Sequence, residues 1–165
     1  MIKASRDIFL LLIRSTPAFF ISCASLTLEN VNFGWPVESA LTVSEKNTID
    51  DVRYGLTCNV ASLAVEEFQD TSALKGKILR VLRNPQGYYF VTGAGFNYVY
   101  VFGPGEGTLS LHKSISMGNT EKDEPVRLAD PALNQRPPNV ELLDGKLRHL
   151  LSPDGIIENE DGGSK

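Results

Sequence analysis

A mostly β fold is what this sequence predicts: an antiparallel meander packed as a small sandwich or open barrel, preceded by an N-terminal signal or helical segment. Three observations point there. Residues 77–116 hold four short runs of apolar and aromatic residues separated by Gly/Pro turns. Residues 52–60 alternate apolar and polar with a period of two. Residues 1–23 differ in composition from everything after them. The chain has 165 residues, which suits one domain once a leader is set aside. Hydrophobic residues at 42% and charged residues at 22% are ordinary globular values, so a packed core is expected rather than disorder.

The N-terminus reads as a leader. Lys3 and Arg6 give a positive start, and Ile8 to Ile13 is an unbroken apolar run. A second, weaker patch spans Pro17 to Ile21 after the interruption at Arg14. Together these are the three regions of a secretory signal over residues 1–23. A docked amphipathic helix is the competing reading. A permanent span is disfavoured, because it needs about 20 mostly apolar residues and the charges leave no such stretch.

The leader ends in Phe20-Ile21-Ser22-Cys23, which resembles the bacterial lipobox. That resemblance implies a diacylglycerol on the Cys23 thiol and Cys23 as the mature N-terminus. Each buried CH₂ of such an anchor contributes about 0.8 kcal/mol toward holding a domain at a membrane surface. The alternative is simple cleavage after Ala24, with Ser22 and Ala24 as the small residues of the site.

From residue 24 to 158 one β-rich domain is expected. Val37–Val43 reads as a strand followed by the polar turn Glu45–Asp51. Val52, Tyr54, Leu56, Cys58 and Val60 then share one face of a half-buried strand, the two strands making a hairpin. Ser62–Gln69 has helix formers enough for two turns, though an extended reading is nearly as good. Strands are expected at Lys77–Arg83, Tyr88–Thr92, Asn97–Phe102 and Thr108–Ser116. The turns between them carry Pro85 and Gly87, then Gly93 and Gly95, then Gly103, Pro104, Gly105 and Gly107. Residues 117–138 lose periodicity, gather acids at Glu121–Glu124 and hold four prolines, so a long loop is expected. Val140–Leu143 and Lys146–Leu151 form a hairpin about Asp144-Gly145, the type I′ signal, and a further turn leads into Ile156–Glu158. Residues 159–165 read as a flexible tail.

The chemistry-bearing residues are sparse. Twenty acids against 16 bases give a net charge of −4. Removing residues 1–23 takes away Lys3, Arg6, Arg14 and Asp7, leaving 13 bases and 19 acids, a net of −6. Nucleic-acid binding needs a basic surface and is therefore disfavoured. With two cysteines, Cys23 and Cys58, and two histidines, His112 and His149, there is neither a disulfide framework nor a zinc-ligand spacing. No metal or cofactor is expected. The glycine clusters lack the G-x-G-x-x-G and P-loop patterns and lie between strands. Glu66-Glu67 and Asp50-Asp51, read as extended neighbours, face opposite sides and would not share a proton. Cys58 falls in with an apolar set, as buried free cysteines usually do.

One feature exceeds background. Residues 88–102 contain seven of the fourteen aromatic residues. Alternation places Tyr98, Tyr100 and Phe102 on one face of a strand, Val99 and Val101 on the other, and Tyr88 with Phe90 on a shared face. Sheet core explains them; an aromatic recognition face for a peptide or glycan is the functional reading, with Tyr88, Phe90, Tyr98, Tyr100 and Phe102 as its residues. Apolar residues on both sides imply that both faces are covered. The expected function is a non-catalytic β module for binding or assembly, held at a membrane surface outside the cytoplasm of a bacterium, in the periplasm or at the outer membrane. The rival is a small extracytoplasmic hydrolase using His112 or His149.

Overall fold

A computed structural model describes residues 37–105, 108–118 and 126–157. The leader, Cys23 and the C-terminal tail lie outside the described residues. Among those described, no helix is long and apolar enough to cross a membrane.

The fold is mostly β, with three antiparallel sheets, one helix and no closed barrel among the described residues. Eleven strands run β1 (Ser39–Thr42), β2 (Thr48–Asp51), β3 (Leu56–Asn59), β4 (Ile78–Arg83), β5 (Tyr89–Gly93), β6 (Tyr98–Pro104), β7 (Leu109–Ser116), β8 (Ala132–Arg136), β9 (Asn139–Asp144), β10 (Leu147–Ser152) and β11 (Gly155–Ile157). Helix α1 (Ala61–Phe68) follows β3. The largest sheet has the order β1-β4-β5-β6-β7, and β4 to β7 form the expected meander. A second sheet runs β11-β10-β9-β8, and β2 pairs with β3 alone.

Turn chemistry sets the meander. At Asn84–Gly87 the Asn84 carboxamide oxygen accepts from the Tyr88 amide at 2.9 Å, and the Asn84 carbonyl accepts from the Gly87 amide at 3.0 Å. Gly87 then takes φ 92°, which ends a three-residue hairpin loop without a Cβ clash. Between β6 and β7 the register slips at Val101/Phe102, so that Lys113 and Leu111 pair while His112 between them does not. This bulge sits on the edge strand, where one extra residue twists the strand and re-aims its side chain.

Both faces of the meander are covered. Leu82, Phe90, Val99 and Val101 on one side and Leu79, Val81 and Tyr100 on the other are all fully buried. On the Tyr100 side lie α1 and the β2–β3 hairpin: Phe68 meets Phe96 edge-on at 5.8 Å and Tyr54 meets Tyr89 at 5.7 Å. The second sheet meets the first where β8 contacts β4 and β11 contacts β7. There the Asn84 carboxamide donates to the Pro138 carbonyl, and Gln135 donates to the Arg83 carbonyl.

Four sequence expectations are corrected. The alternation over Val52–Val60 is not one strand: Val52 is 93% exposed and residues 52–55 are a turn, stabilised by the Asp51 carboxylate accepting the Arg53 amide and by Gly55 at φ 60°. Only Leu56–Asn59 is extended, and it pairs with β2, whereas β1 pairs with β4. The stretch read as a loop between 117 and 138 contains β8; Pro131, Pro137 and Pro138 flank the strand, which occupies a sheet edge where no ladder bond is lost. The turn after β9 has Gly145 and Lys146 as its central pair, with φ positive at Gly145 only. Glycine first is the type II′ arrangement, not the type I′ that Asp-Gly suggested.

Candidate functional site

The β2–β3 hairpin and α1 do not close completely on the meander. Between them lies a cleft of about 620 Å³, within the range of about 300–1,000 Å³ usual for small-ligand sites. Val81, Val91 and Phe102 form its apolar floor, β3 and the start of α1 form one wall, and Pro104, Gly105, Thr108 and Leu109 form the opposite rim. Arg83 and Tyr89 also line it.

Among the described residues Arg83 is the only charged one lining this cleft. Its guanidinium lies 6.0 Å from the Tyr54 ring centroid and 5.7 Å from that of Tyr89, cation–π distances that hold its plane. Among the described residues no carboxylate comes within ion-pair distance of it. Among the described residues its buried Nε has no hydrogen-bond partner, nor do the Tyr54 hydroxyl and the Asp51 Oδ2, which lie outside the cleft lining. Buried polar atoms are normally satisfied, and orphans mark places where water or a ligand belongs. Burial pushes the Tyr89 hydroxyl up, against the opposing pull of the Arg83 charge. Burial also raises the Cys58 thiol above its ordinary value, which keeps it protonated and a poor nucleophile.

The five aromatic residues singled out in the sequence do not form one surface. Tyr98, Tyr100 and Phe102 share the side of β6 that faces α1 and the hairpin. Phe90 pairs with Val101 and so projects to the opposite side, where it is fully buried, and Tyr88 lies on that side against His112 at 5.1 Å. Of the five, only Phe102 lines the cleft. Tyr100 is core, Tyr98 and Tyr88 are half-buried. The residues that reasoning from sequence missed are Arg83, Tyr89 and Tyr54. A signal was present for Tyr89: one residue out of phase with Tyr88 and Phe90, it must face the Phe102 side.

Glu67 was missed as well. It is 4% exposed on α1, at the spacing that buries Leu63 and Ala64. Its Oε2 accepts from the Asn97 amide at 2.8 Å and the Asn97 carboxamide at 2.9 Å. Its Oε1 accepts from the Tyr98 amide and the Tyr100 hydroxyl, both at 3.1 Å. A carboxylate only accepts, and four donors meet it. This fixes α1 against the β5–β6 turn and thereby positions Ser62 and Leu63, which line the cleft. Burial, and after it the same carboxylate, hold the Tyr100 phenol well above its ordinary range.

No family model matches the chain, and no curated protein or solved structure matches it. The chemistry of the site therefore stands on its own residues. His112 Nε2 lies 3.1 Å from the Asp154 carboxylate, but both side chains are exposed and neither lines the cleft. His149 sits on β10, its basicity lowered by burial. Among the described residues no cluster of three His, Cys, Asp or Glu is placed to hold a metal.

Proposed function

We propose that this chain is a non-catalytic binding module of the bacterial cell envelope, tethered to a membrane surface through a lipid on Cys23, with the cleft over Val81, Val91 and Phe102 as its ligand site. The observation that carries the binding reading is the cleft itself: an apolar floor and, among the described residues, one guanidinium with no acid partner and a buried Nε that no hydrogen bond satisfies. Ligand sites combine an apolar lining with a few polar groups that fix orientation. The two larger sheets are read as layers of a small sandwich, a scaffold rigid enough to hold such a cleft open. Lipid tethering is supported by the order of charge, apolar run and cysteine in residues 1–23.

Expression of the full chain in a bacterial host with radiolabelled palmitate tests the tether. The expected result is a labelled, membrane-associated product, with label lost and the domain released in Cys23→Ala. Unprocessed, unlabelled chain in the cytosol refutes export and lipidation together; an exported but unlabelled product supports cleavage after Ala24. The hydrolase reading finds less support, because neither histidine lines the cleft.

A further inference from the structure

We infer that the cleft receives a peptide in extended conformation, which adds as a third strand to the free edge of β3 and sets an acidic group against Arg83. This rests on the reading of the cleft as a binding site and names what it binds. β3 has one neighbour, β2, and its other edge carries no strand among the described residues. All four of its residues, Leu56 to Asn59, line the cleft. Side chains of consecutive strand residues point to opposite faces, so a face would contribute alternate residues. Lining by all four means that the strand presents its edge.

Ladder geometry says which groups that edge offers. The Val60 amide donates to the Asn47 carbonyl at 2.8 Å. In an antiparallel pair the bonding residues alternate, so Cys58 and Leu56 turn their N–H and C=O toward β2. Thr57 and Asn59 turn theirs away, toward the cleft. Two residues spaced i and i+2 are the unit an added strand pairs with, and such pairing is a recurrent mode of peptide capture. Phe102, the half-buried part of the floor, then takes an apolar side chain of the peptide. Charge selects the class of peptide further. Among the described residues Arg83 is the single charged lining residue and has no acid partner, and it is held beside the Tyr54 and Tyr89 rings. A guanidinium favours a carboxylate, which it can engage with two parallel N–H bonds. A peptide's free C-terminus or an acidic side chain supplies that group.

The probe is a randomised pool of fluorescent N-acylated hexapeptides with free C-terminal carboxylates, titrated against the full chain by anisotropy. Six extended residues span about 20 Å at about 3.3 Å each. Two control pools carry either a C-terminal amide or N-methylated backbone nitrogens, and octanoate serves as a non-peptide carboxylate. Binding of the free-acid pool is expected, weakened about tenfold by Arg83→Gln, the equivalent of about 1.4 kcal/mol, and less by Arg83→Lys. N-methylation, which removes the donors an added strand needs, is expected to abolish it. Thermal melts confirm that the variants fold; if Arg83→Gln does not, the acid-to-amide comparison tests the same contact from the ligand side. Equal binding of the N-methylated pool, or octanoate binding as tightly as the peptides, overturns strand addition while leaving a binding cleft. Binding indifferent to both amidation and Arg83→Gln overturns the role of Arg83. No binding by any probe overturns this inference and the binding reading with it.

Discussion

Replacing Glu67 by alanine tests the packing argument most directly. The carboxylate is 4% exposed and satisfies four donors, two from Asn97, one from Tyr98 and one from Tyr100. Its loss leaves those donors facing a small void. An unsatisfied buried polar group costs about 1–3 kcal/mol. A water entering the vacated space meets some of that cost, so the sum for Glu67→Ala falls at about 3–5 kcal/mol, the range for removing one partner of a buried charged network. Glu67→Gln keeps an oxygen for Tyr98 and Tyr100 but sets an NH₂ against both Asn97 donors, so it also destabilises. Tyr100→Phe deletes a single bond to a charged acceptor, about 1.5–3 kcal/mol. The two sites touch, so the double variant loses less than the sum, with a coupling of about 1–3 kcal/mol. Urea titrations of wild type, both single variants and the double variant give these values. A loss below about 1 kcal/mol for Glu67→Ala, or strict additivity with Tyr100→Phe, refutes the reasoning.

Three further outcomes are expected. Tyr100→Ala, truncating a fully buried ring, costs about 3–5 kcal/mol in thermal or urea melts, and Tyr98→Ala, half-buried at the same face, costs less; equal small losses would deny that this face is core. Cys58, its thiol pKa raised by partial burial, reacts with iodoacetamide more slowly in the native chain than in urea, at pH 8; equal rates would contradict the half-buried, protonated thiol. His149 is held below the ordinary imidazole range by burial, so the folded state binds fewer protons than the unfolded one as pH falls through about 6.5. Stability contributed by that site is complete above about pH 7 and is lost on acidification. The drop between pH 7.5 and pH 5 is therefore smaller in His149→Gln, and an equal drop in both proteins would rule out a lowered imidazole basicity in the fold.

The meander was legible because local chemistry and tertiary outcome agree there. Asn84-Pro85-Gln86-Gly87 closes a tight loop whatever it packs against, and the flanking runs need burial on both faces. Val52–Val60 misled because a turn can carry the same alternation as a strand; the informative residues were Asp51 and Gly55, which close that turn. β8 was hidden because prolines mark its ends, and an edge strand tolerates them there. The cleft had no local signal. Arg83 comes from the end of β4, Tyr54 from a hairpin turn and Thr57 from a strand edge, and only tertiary packing brings them together. On an extended chain Glu66 and Glu67 face apart. On a helix Glu67 becomes the inward member of the Leu63, Ala64, Glu67 stripe, and its four donors come from residues some thirty positions later.

The Glu67 contact also furnishes a spectroscopic reporter. The amides of Asn97 and Tyr98 bond to a side chain on α1, not to a neighbouring strand. Their hydrogen-exchange protection therefore measures the docking of α1 and not the integrity of the sheet. α1 supplies Ser62 and Leu63 to the wall of the cleft. Exchange at these two amides, compared with that of the ladder amides around Val99, gives the free energy for lifting that wall, separately from the free energy for unfolding the sheet beneath it.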